Sequence, residues 1–126
     1  MFAKILDNLY YVMYSIRRSE VLSVDAQIKK GVLDACVLYA ISKGESYGYK
    51  IIIDLQGIID ISESTLYPIL KRLESVGALQ TYTKEFNGRL RRYYKITPSG
   101  LQRLNESKRD FEAINAIYLK IFGGKR

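Results

Sequence analysis

The 126-residue chain contains no histidine and a single cysteine, Cys36. Without histidine it cannot form a Ser-His-Asp or Cys-His catalytic arrangement, a histidine-ligated metal site or a histidine pH switch. One cysteine excludes an intrachain disulfide and a thiolate metal cluster, and it indicates a reducing cytoplasm. Because Cys36 lies in the apolar run 35–38, we expect a small buried hydrophobic residue rather than a nucleophile.

The sequence also lacks long apolar runs and glycine-rich loops. Its first 16 residues are interrupted by Asp7 and followed by Arg17 and Arg18 without a small-residue cleavage site, which is not the pattern of a signal peptide. A membrane helix would need roughly 20 apolar residues. The nine glycines are scattered at turns and form no phosphate-binding loop. Carboxylate-only catalysis stays open but nothing points to it, so we predict a cytoplasmic, membrane-free non-enzyme without metal or cofactor.

What the sequence does contain is an uneven positive charge. The net charge is +7, with 48% hydrophobic and 26% charged residues, a composition typical of one folded domain. Residues 1–61 are neutral overall, whereas residues 62–96 carry seven basic against three acidic residues and residues 97–126 carry six against three. This asymmetry fits a polyanionic partner, and a well-solvated basic surface fits it equally well.

Apolar spacing predicts two helices in the first third of the chain. One covers about residues 3–18, where Ile5, Leu9, Val12 and Ile16 form a stripe. A break at residues 19–24 follows. The second begins after a cap at Asp25, contains the buried run 32–41 and ends at residues 43–44.

Two further helices are predicted before residue 77. A short one is expected to be capped by Ser46 and to end near Gly57, although its Ile51–Ile53 triplet would suit a buried strand equally well. The next starts between Ser62 and Thr65 and ends at Gly77. Because proline is tolerated in the first helical turn, Pro68 favours Ser64 or Thr65 as the cap over Ser62.

After Gly77 the spacing of the apolar residues changes from the helical period to an alternation of every second residue. Residues 79–86 and 89–96 flank Asn87-Gly88, a strong signal for a two-residue hairpin turn. The implied register places Lys84 opposite Arg91. Like charges in that position repel, so either a bound phosphate relieves them or the two side chains point apart into water. On the other face, Arg92 is expected to form a structural ion pair.

Thr97-Pro98 predicts a helix cap and a first-turn proline, and the final helix runs to about Phe122. Its apolar residues occupy more than one side, which indicates more than one partner surface and therefore a dimer rather than a helix that merely covers its own domain. We assign to the dimer interface Leu104, Phe111, Ile114, Ile117, Tyr118, Ile121 and Phe122.

The order of elements predicts a mainly α chain with a small β hairpin, namely a winged helix-turn-helix with additional N- and C-terminal helices. We divide it into an extension at 1–24, a DNA-binding domain at 25–97 and a dimerisation helix at 98–126. In such a domain the helix after the turn enters the DNA major groove, and the basic hairpin neutralises backbone phosphates.

Three segments resemble the signature blocks of the PadR family of bacterial transcriptional regulators. They are Tyr47-Gly48-Tyr49, residues 64–77 (STLYPILKRLESVG) and residues 91–100 (RRYYKITPSG). The resemblance covers about residues 29–104. It implies a winged helix, a C-terminal dimerisation helix and an inverted-repeat operator, commonly with repression that a small molecule relieves. The segment before residue 26 is longer than in such proteins, and the single short C-terminal helix matches the smaller subfamily.

The candidate DNA contacts lie at the start of the reading helix, on the hairpin and on the short helix. Ser64 or Thr65 could be the helix cap instead, and Tyr67 could simply be packed. Tyr47 is expected in the core, whereas Arg89 and Arg91 are the strongest phosphate ligands. The full set is Ser64, Thr65, Tyr67, Lys71, Arg72, Asn87, Gly88, Arg89, Arg91, Lys84, Tyr49 and Lys50.

The expected partners are double-stranded DNA, a second copy of the chain and a small aromatic or hydrophobic effector, the last suggested by eleven tyrosines. Two other functions remain open. A winged helix used for protein contacts would place an apolar patch where Lys71, Arg72 and the arginines of the wing, the hairpin of residues 79–96, lie. An RNA-binding protein would expose aromatic side chains on a sheet face, for which Tyr82 and Tyr93 are the candidates.

Overall fold

The structure, a computed structural model, describes residues 25–124. Three helices are followed by two strands and a long helix, as the sequence predicted. Their bounds are α1, Ala26–Ser42; α2, Gly48–Leu55; α3, Glu63–Ser75; β1, Leu79–Phe86; β2, Arg89–Ile96; and α4, Pro98–Phe122. The helix predicted for residues 3–18 lies outside the described residues.

Helix α1 is the centre of the core and contacts α2, α3, α4 and β2. Asp25 caps it as predicted, since its side chain accepts a hydrogen bond from the backbone N–H of Gln27 at 2.9 Å. The buried residues of α1 are Leu33, Ala35, Val37, Leu38, Ala40 and Ile41. Against them pack Ile51 and Leu55 of α2 and the apolar side of α3, which together hold the first three helices as one unit.

The start of α2 differs from the prediction. Its N-cap is Tyr47 rather than Ser46, and Ile51–Ile53 are helical, so the strand alternative is wrong. Ser46 is buried and pairs instead with β2: its N–H donates to the Tyr94 carbonyl at 3.0 Å, and the Tyr94 N–H donates back at 2.7 Å. Because this backbone pairing fixes Ser46 in an extended conformation, the helix can begin only after it.

The start of α3 also differs, because Ser62 is the N-cap and its hydroxyl accepts a hydrogen bond from the Thr65 N–H at 3.3 Å. Pro68 therefore lies inside the helix. An interior proline costs about 3 kcal/mol. The helix buries Leu66, Ile69, Leu70 and Leu73, and each buried aliphatic side chain contributes roughly 1.5–3 kcal/mol. Core packing thus outweighs the local preference on which the prediction rested.

The hairpin has the predicted register, with Lys84 opposite Arg91 and Tyr82 opposite Tyr93. Asn87 and Gly88 both have positive φ, 52° and 77°, as a type I′ turn requires. Only the base of the hairpin is buried, at Leu79 and Tyr94. The ribbon therefore projects from the helices and exposes its tip.

Thr97 forms a joint between three elements. Its hydroxyl donates to the Gly77 carbonyl at 2.7 Å and accepts from the Gly100 N–H at 3.0 Å, and its backbone N–H donates to the Ala78 carbonyl at 3.0 Å. The end of α3, the start of β1 and the start of α4 therefore meet at one point. Beyond this joint α4 projects, since within Pro98–Phe122 the buried residue is Gly100.

Within residues 25–124, no helix is both long enough and apolar enough to cross a membrane.

Candidate nucleic-acid interface

The outward side of α3 presents polar residues one turn apart. Ser64, Tyr67 and Lys71 are exposed, while Leu66, Ile69 and Leu70 between them are buried in the core. A spacing of three and four residues places these side chains on one side of the helix. The N-terminal part of α3 therefore offers a hydroxyl, a phenol and an ammonium group to a partner.

The two residues predicted as alternative caps have different environments. The Ser64 hydroxyl lies 3.0 Å from the Ser62 hydroxyl and is exposed. Thr65 is half-buried, and its hydroxyl accepts a hydrogen bond from Ser62 at 3.2 Å. Neither is the cap, and Ser64 is the more accessible to a ligand.

Tyr67 lies directly over the start of α2. A Cβ atom built on Gly48 would lie 2.5 Å from the Tyr67 hydroxyl oxygen and 3.0 Å from the ring carbon that bears it. Glycine at position 48 thus leaves the space that the phenol occupies. Since Gly48 is buried and Tyr67 is exposed, the ring bridges α2 and α3 with one edge towards solvent. This close approach explains why a glycine separates Tyr47 and Tyr49.

The exposed side of α2 carries Tyr49 and Lys50, both predicted as backbone contacts. Tyr49 is exposed, and Lys50 forms an ion pair with Asp54 one turn later, at 2.5 Å. Exposed pairs of this kind contribute little to stability. Lys50 can therefore exchange its partner for a phosphate at small cost.

Two arginines belong to the domain's internal ion pairs. Arg72 is bonded to Asp34 of α1, and their side chains are 35% and 13% exposed. Because Arg72 is engaged with a largely buried carboxylate, we assign it a structural role instead of the predicted contact with DNA. Arg92 forms the structural pair that the sequence predicted, donating to Glu74 at 3.3 Å and to the Thr81 hydroxyl at 3.1 Å.

The tip of the hairpin is an exposed basic element. Lys84, Asn87, Gly88 and Arg89 are all exposed on it. Leu90 is also exposed, at 79%. Two exposed cations, Lys84 and Arg89, on a projecting ribbon are suited to backbone phosphates, whose recognition depends on charge more than on a fixed contact geometry.

Arg91 is held between aromatic rings. Its guanidinium carbon lies 3.9 Å from the ring centre of Tyr47 and 3.9 Å from that of Phe86, with the Tyr93 ring centre at 6.0 Å. A guanidinium between two ring faces is attracted by both and keeps its in-plane N–H groups available. The rings stabilise the Arg91 charge, so its position opposite Lys84 does not require a bound phosphate.

A second pair of rings continues this surface towards the base of the hairpin. Tyr82 and Tyr93 are stacked, with ring centres 5.4 Å apart and an angle of 11°, and Tyr93 meets Tyr47 edge-on at 5.7 Å. The Tyr82 hydroxyl donates a hydrogen bond to Glu45. Because only the protonated phenol can donate it, this hydrogen bond raises the pKa of Tyr82. The rings connect the hairpin to the loop before α2.

These elements border one groove of about 910 Å³. The start of α2, the start of α3 and the wing each provide a wall. Its lining residues are Tyr47, Gly48, Tyr49, Glu63, Tyr67, Phe86, Asn87, Arg89, Leu90, Arg91, Arg92 and Tyr94. Of the predicted contacts, the groove brings together Tyr49, Tyr67, Asn87, Arg89 and Arg91, which can contact one ligand together. The predicted contacts that do not line it are Lys50, Ser64, Thr65, Lys71, Arg72, Lys84 and Gly88.

Sequence reasoning missed the aromatic support of Arg91. Tyr47 was assigned to the core, but it is half-buried and stacks on the guanidinium. The hairpin register contained part of the signal, because Phe86 and Arg91 are diagonal neighbours on one face. The contribution of Tyr47 depends on how the hairpin bends towards α2, which the sequence pattern does not specify.

Cys36 is half-buried on α1. Burial raises its pKa to about 11, so the sulfur carries its proton at neutral pH and is a poor nucleophile. Among residues 25–124, no cluster of carboxylates and thiols has the arrangement of a metal site.

A helix-turn-helix whose second helix faces a groove shared with a basic hairpin defines the winged helix-turn-helix class of DNA-binding domains. Residues 37–106 match the model of the transcriptional regulator PadR-like family. The chain belongs to this family, whose regulators bind DNA and are generally dimeric. Family members are transcriptional regulators rather than enzymes.

Individual relatives agree with this assignment. Transcriptional regulator Rv3488 of Mycobacterium tuberculosis is 38% identical over 65 residues, which span 52% of this chain and 58% of that protein. A PadR-like transcriptional regulator from Bacillus cereus superposes with a TM-score of 0.68 at 34% identity, covering 79% of this chain and all of that one. A PadR family regulator from Eggerthella lenta gives 0.70 at 29% identity, covering 79% and 88%.

Proposed function

We propose that this chain is a sequence-specific double-stranded DNA-binding repressor that acts as a dimer on an inverted-repeat operator. The observation that carries the proposal is the single groove shared by α2, α3 and the wing. A duplex that follows this groove would meet Tyr67 from one side and Arg89 and Arg91 from the other. The net charge of +7 supports a polyanionic ligand.

Each element around the groove takes a role suited to its chemistry. Ser64, Tyr67 and Lys71 of α3 face base edges in the major groove. The wing contacts phosphates through Lys84, Asn87, Gly88, Arg89 and Arg91, and the exposed side of α2 adds Tyr49 and Lys50. Thr65 and Arg72 support the helix rather than touch DNA, because each is engaged within the protein.

The proposal is tested by selecting genomic fragments that the purified chain retains and then measuring its affinity for a selected duplex at several salt concentrations. Each neutralised phosphate contributes about −0.9 to the slope of log affinity against log salt. A steep negative slope together with a preferred sequence supports the proposal. If no duplex is bound even at low salt, the proposal is wrong.

Arg89→Ala is expected to make that slope shallower by about 0.9, because one exposed wing cation no longer displaces a counterion. The preferred sequence should not change. Arg109→Ala removes another exposed cation, one that belongs to α4 and does not line the groove, and it serves as the control. Equal effects of the two substitutions would show that bulk charge, and not the wing, determines affinity.

Dimerisation is supported by the apolar side of α4, where exposed residues include Phe111, Ile114, Ile117, Ile121 and Phe122, the last two at 63% and 72%. The other two predicted interface residues, Leu104 and Tyr118, are half-buried, and Leu104 packs against the core of its own domain. A row of exposed aliphatic and aromatic side chains on a projecting helix is typical of a subunit interface.

Ile117→Asp is expected to dissociate the dimer, because it places a charge in the middle of this apolar row. Gln102→Asp introduces the same side chain at an exposed polar position of α4 and should leave the assembly unchanged. Sedimentation velocity at matched protein concentrations measures both. A wild-type chain that sediments as a monomer at high concentration would contradict the dimer.

A winged helix that binds protein is the alternative function. It predicts an apolar patch at the groove, and Phe86 and Leu90 are indeed exposed there. Phe86 is engaged with Arg91, however, and Lys84 and Arg89 lie on the same ribbon. Strong salt dependence of duplex binding separates the DNA function from this alternative.

The proposal includes a small aromatic or hydrophobic effector that binds between two copies of the chain, where the exposed side chains of α4 would line its site. Such a compound should raise the melting temperature of the protein. It should also weaken operator binding, and because linkage is reciprocal the operator should weaken binding of the compound by the same factor.

A further inference from the structure

One acidic residue lines the otherwise basic groove between α2, α3 and the wing. Glu63 is the first residue of α3 and is exposed. Among the described residues that border the groove it is the single carboxylate, whereas Arg89, Arg91 and Arg92 border the same space. A negative charge on a surface suited to a polyanion repels phosphates and weakens binding. Its presence at this place therefore points to a specific role.

The arginines of the groove do not neutralise this carboxylate. Within residues 25–124, the Glu63 side chain forms no hydrogen bond or ion pair. Arg92 is paired with Glu74, and Arg91 is held between two aromatic rings. The oxygens of Glu63 are therefore available to accept hydrogen bonds from a ligand in the groove.

The position of Glu63 on α3 places it beside Tyr67. Residues four apart lie on the same side of a helix, and both of these side chains line the groove. Because Cα–Cβ bonds tilt towards the N-terminus of a helix, the Glu63 side chain leans towards the leading end of α3. In a helix-turn-helix the N-terminal residues of the second helix contact base edges. Glu63 is thus suitably placed to contact a base.

We propose that Glu63 determines sequence specificity by accepting a hydrogen bond from the N4 amino group of a cytosine in the major groove, an inference that rests on the proposed DNA-binding function. An ionised carboxylate only accepts hydrogen bonds, so its partners in the major groove are the amino groups of cytosine and adenine. In adenine the amino group lies beside the N7 acceptor, which repels a carboxylate. Cytosine carries no acceptor on its own major-groove edge, and thymine presents the O4 acceptor in place of the amino group.

The base preference of the purified full-length protein tests this assignment. A duplex selected by the wild type is varied one base pair at a time, and each affinity is measured by fluorescence anisotropy at a fixed salt concentration. Replacement of one C·G pair by T·A should weaken binding of the wild type about tenfold. In Glu63→Gln this preference should move from cytosine towards adenine, because an amide donates to N7 while it accepts from the amino group. The preferences at the other positions should stay unchanged.

Glu85→Gln is the matched control. Glu85 is an exposed carboxylate of the wing, opposite Leu90, and it does not line the groove. Its substitution removes the same charge, so affinity should rise for all duplexes alike and the base preference should not change. An acidic residue in the first turn also stabilises the positive end of a helix dipole. Thermal unfolding of Glu63→Gln measures that structural effect separately, and it would not alter the base preference.

Each outcome decides the proposal. If Glu63→Gln ranks all base pairs as the wild type does, or only raises affinity uniformly as Glu85→Gln does, Glu63 does not contact a base and the inference is wrong. Duplex binding by the wild type in that experiment would still support the repressor proposal. If the wild type binds no duplex at low salt, the repressor proposal itself fails, and this inference fails with it.

Discussion

Gly100→Ala is expected to destabilise the domain by about 3 kcal/mol, at the upper end of the usual cost of overpacking. A Cβ atom at this position would lie 2.2 Å from the Ala78 carbonyl oxygen and 2.7 Å from the side chain of Ile96. The carbonyl cannot retreat easily, because it accepts the Thr97 N–H at 3.0 Å. The first turn of α4 must therefore lift away from the base of the wing.

Thermal unfolding measures this effect, and a loss of this size corresponds to a fall in melting temperature of roughly 10–20 °C for a domain of about 100 residues. Gly31→Ala is the matched control. Gly31 is inside α1, and an added Cβ would meet nothing within 4 Å, so alanine should stabilise the protein by about 1 kcal/mol. A Gly100→Ala protein that melts with the wild type would contradict the packing of α4 on Ala78.

Arg91→Ala is expected to weaken duplex binding by about 10- to 100-fold, since hydrogen bonds to charged groups contribute roughly 1.5–3 kcal/mol. Arg91→Lys separates charge from geometry. Lysine preserves the counterion release, but it has no planar guanidinium group that could stack between the Tyr47 and Phe86 rings. Its salt slope should equal that of the wild type, while its affinity falls about tenfold, the equivalent of 1.4 kcal/mol.

Arg89→Lys makes the same exchange two residues away, on an exposed side chain of the tip. It should leave both affinity and salt slope close to those of the wild type. Fluorescence anisotropy titrations at several salt concentrations measure all three variants. If Arg91→Lys and Arg89→Lys behave alike, the aromatic rings do not position the arginine for DNA.

The hairpin was the most predictable part of the fold, because its signals are local. Alternating apolar residues set the face of each strand, and Asn87-Gly88 set the turn and hence the register. The caps at Asp25 and Thr97 were predictable for the same reason, since each needs only a hydroxyl or carboxylate beside the first helical turn.

The starts of α2 and α3 were mispredicted because distant contacts determine them. Ser46 has the local chemistry of a cap, but Tyr94, far along the chain, holds it in backbone pairing. At α3 the local rule for Pro68 was outweighed by the burial of Leu66 and Ile69. Neither contact can be predicted from the residues of a single helix.

The sequence predicted which residues belong to the candidate site, but not the role of each residue within it. Spacing alone identifies Tyr67 and Lys71 as outward-facing and Arg89 as part of the tip. That Arg72 is bonded to Asp34 and Arg91 to two rings depends on how α1, α2 and the hairpin pack together. Three arginines of identical chemistry thus acquire different roles through tertiary structure.

Because of the joint at Thr97, α3 and the wing follow any tilt of α4. The helix is 25 residues long, about 37 Å. Its first turn is joined to the residues that connect α3 to the hairpin, and it also packs against α1, so it moves together with the rest of the domain. If a partner subunit holds the far end of α4, a tilt of only about 10° displaces α3 and the wing together by about 6 Å, nearly two base-pair steps of the duplex. In the proposed dimer, small changes between the two subunits would thereby be magnified into a mismatch with the spacing of the two halves of the proposed operator.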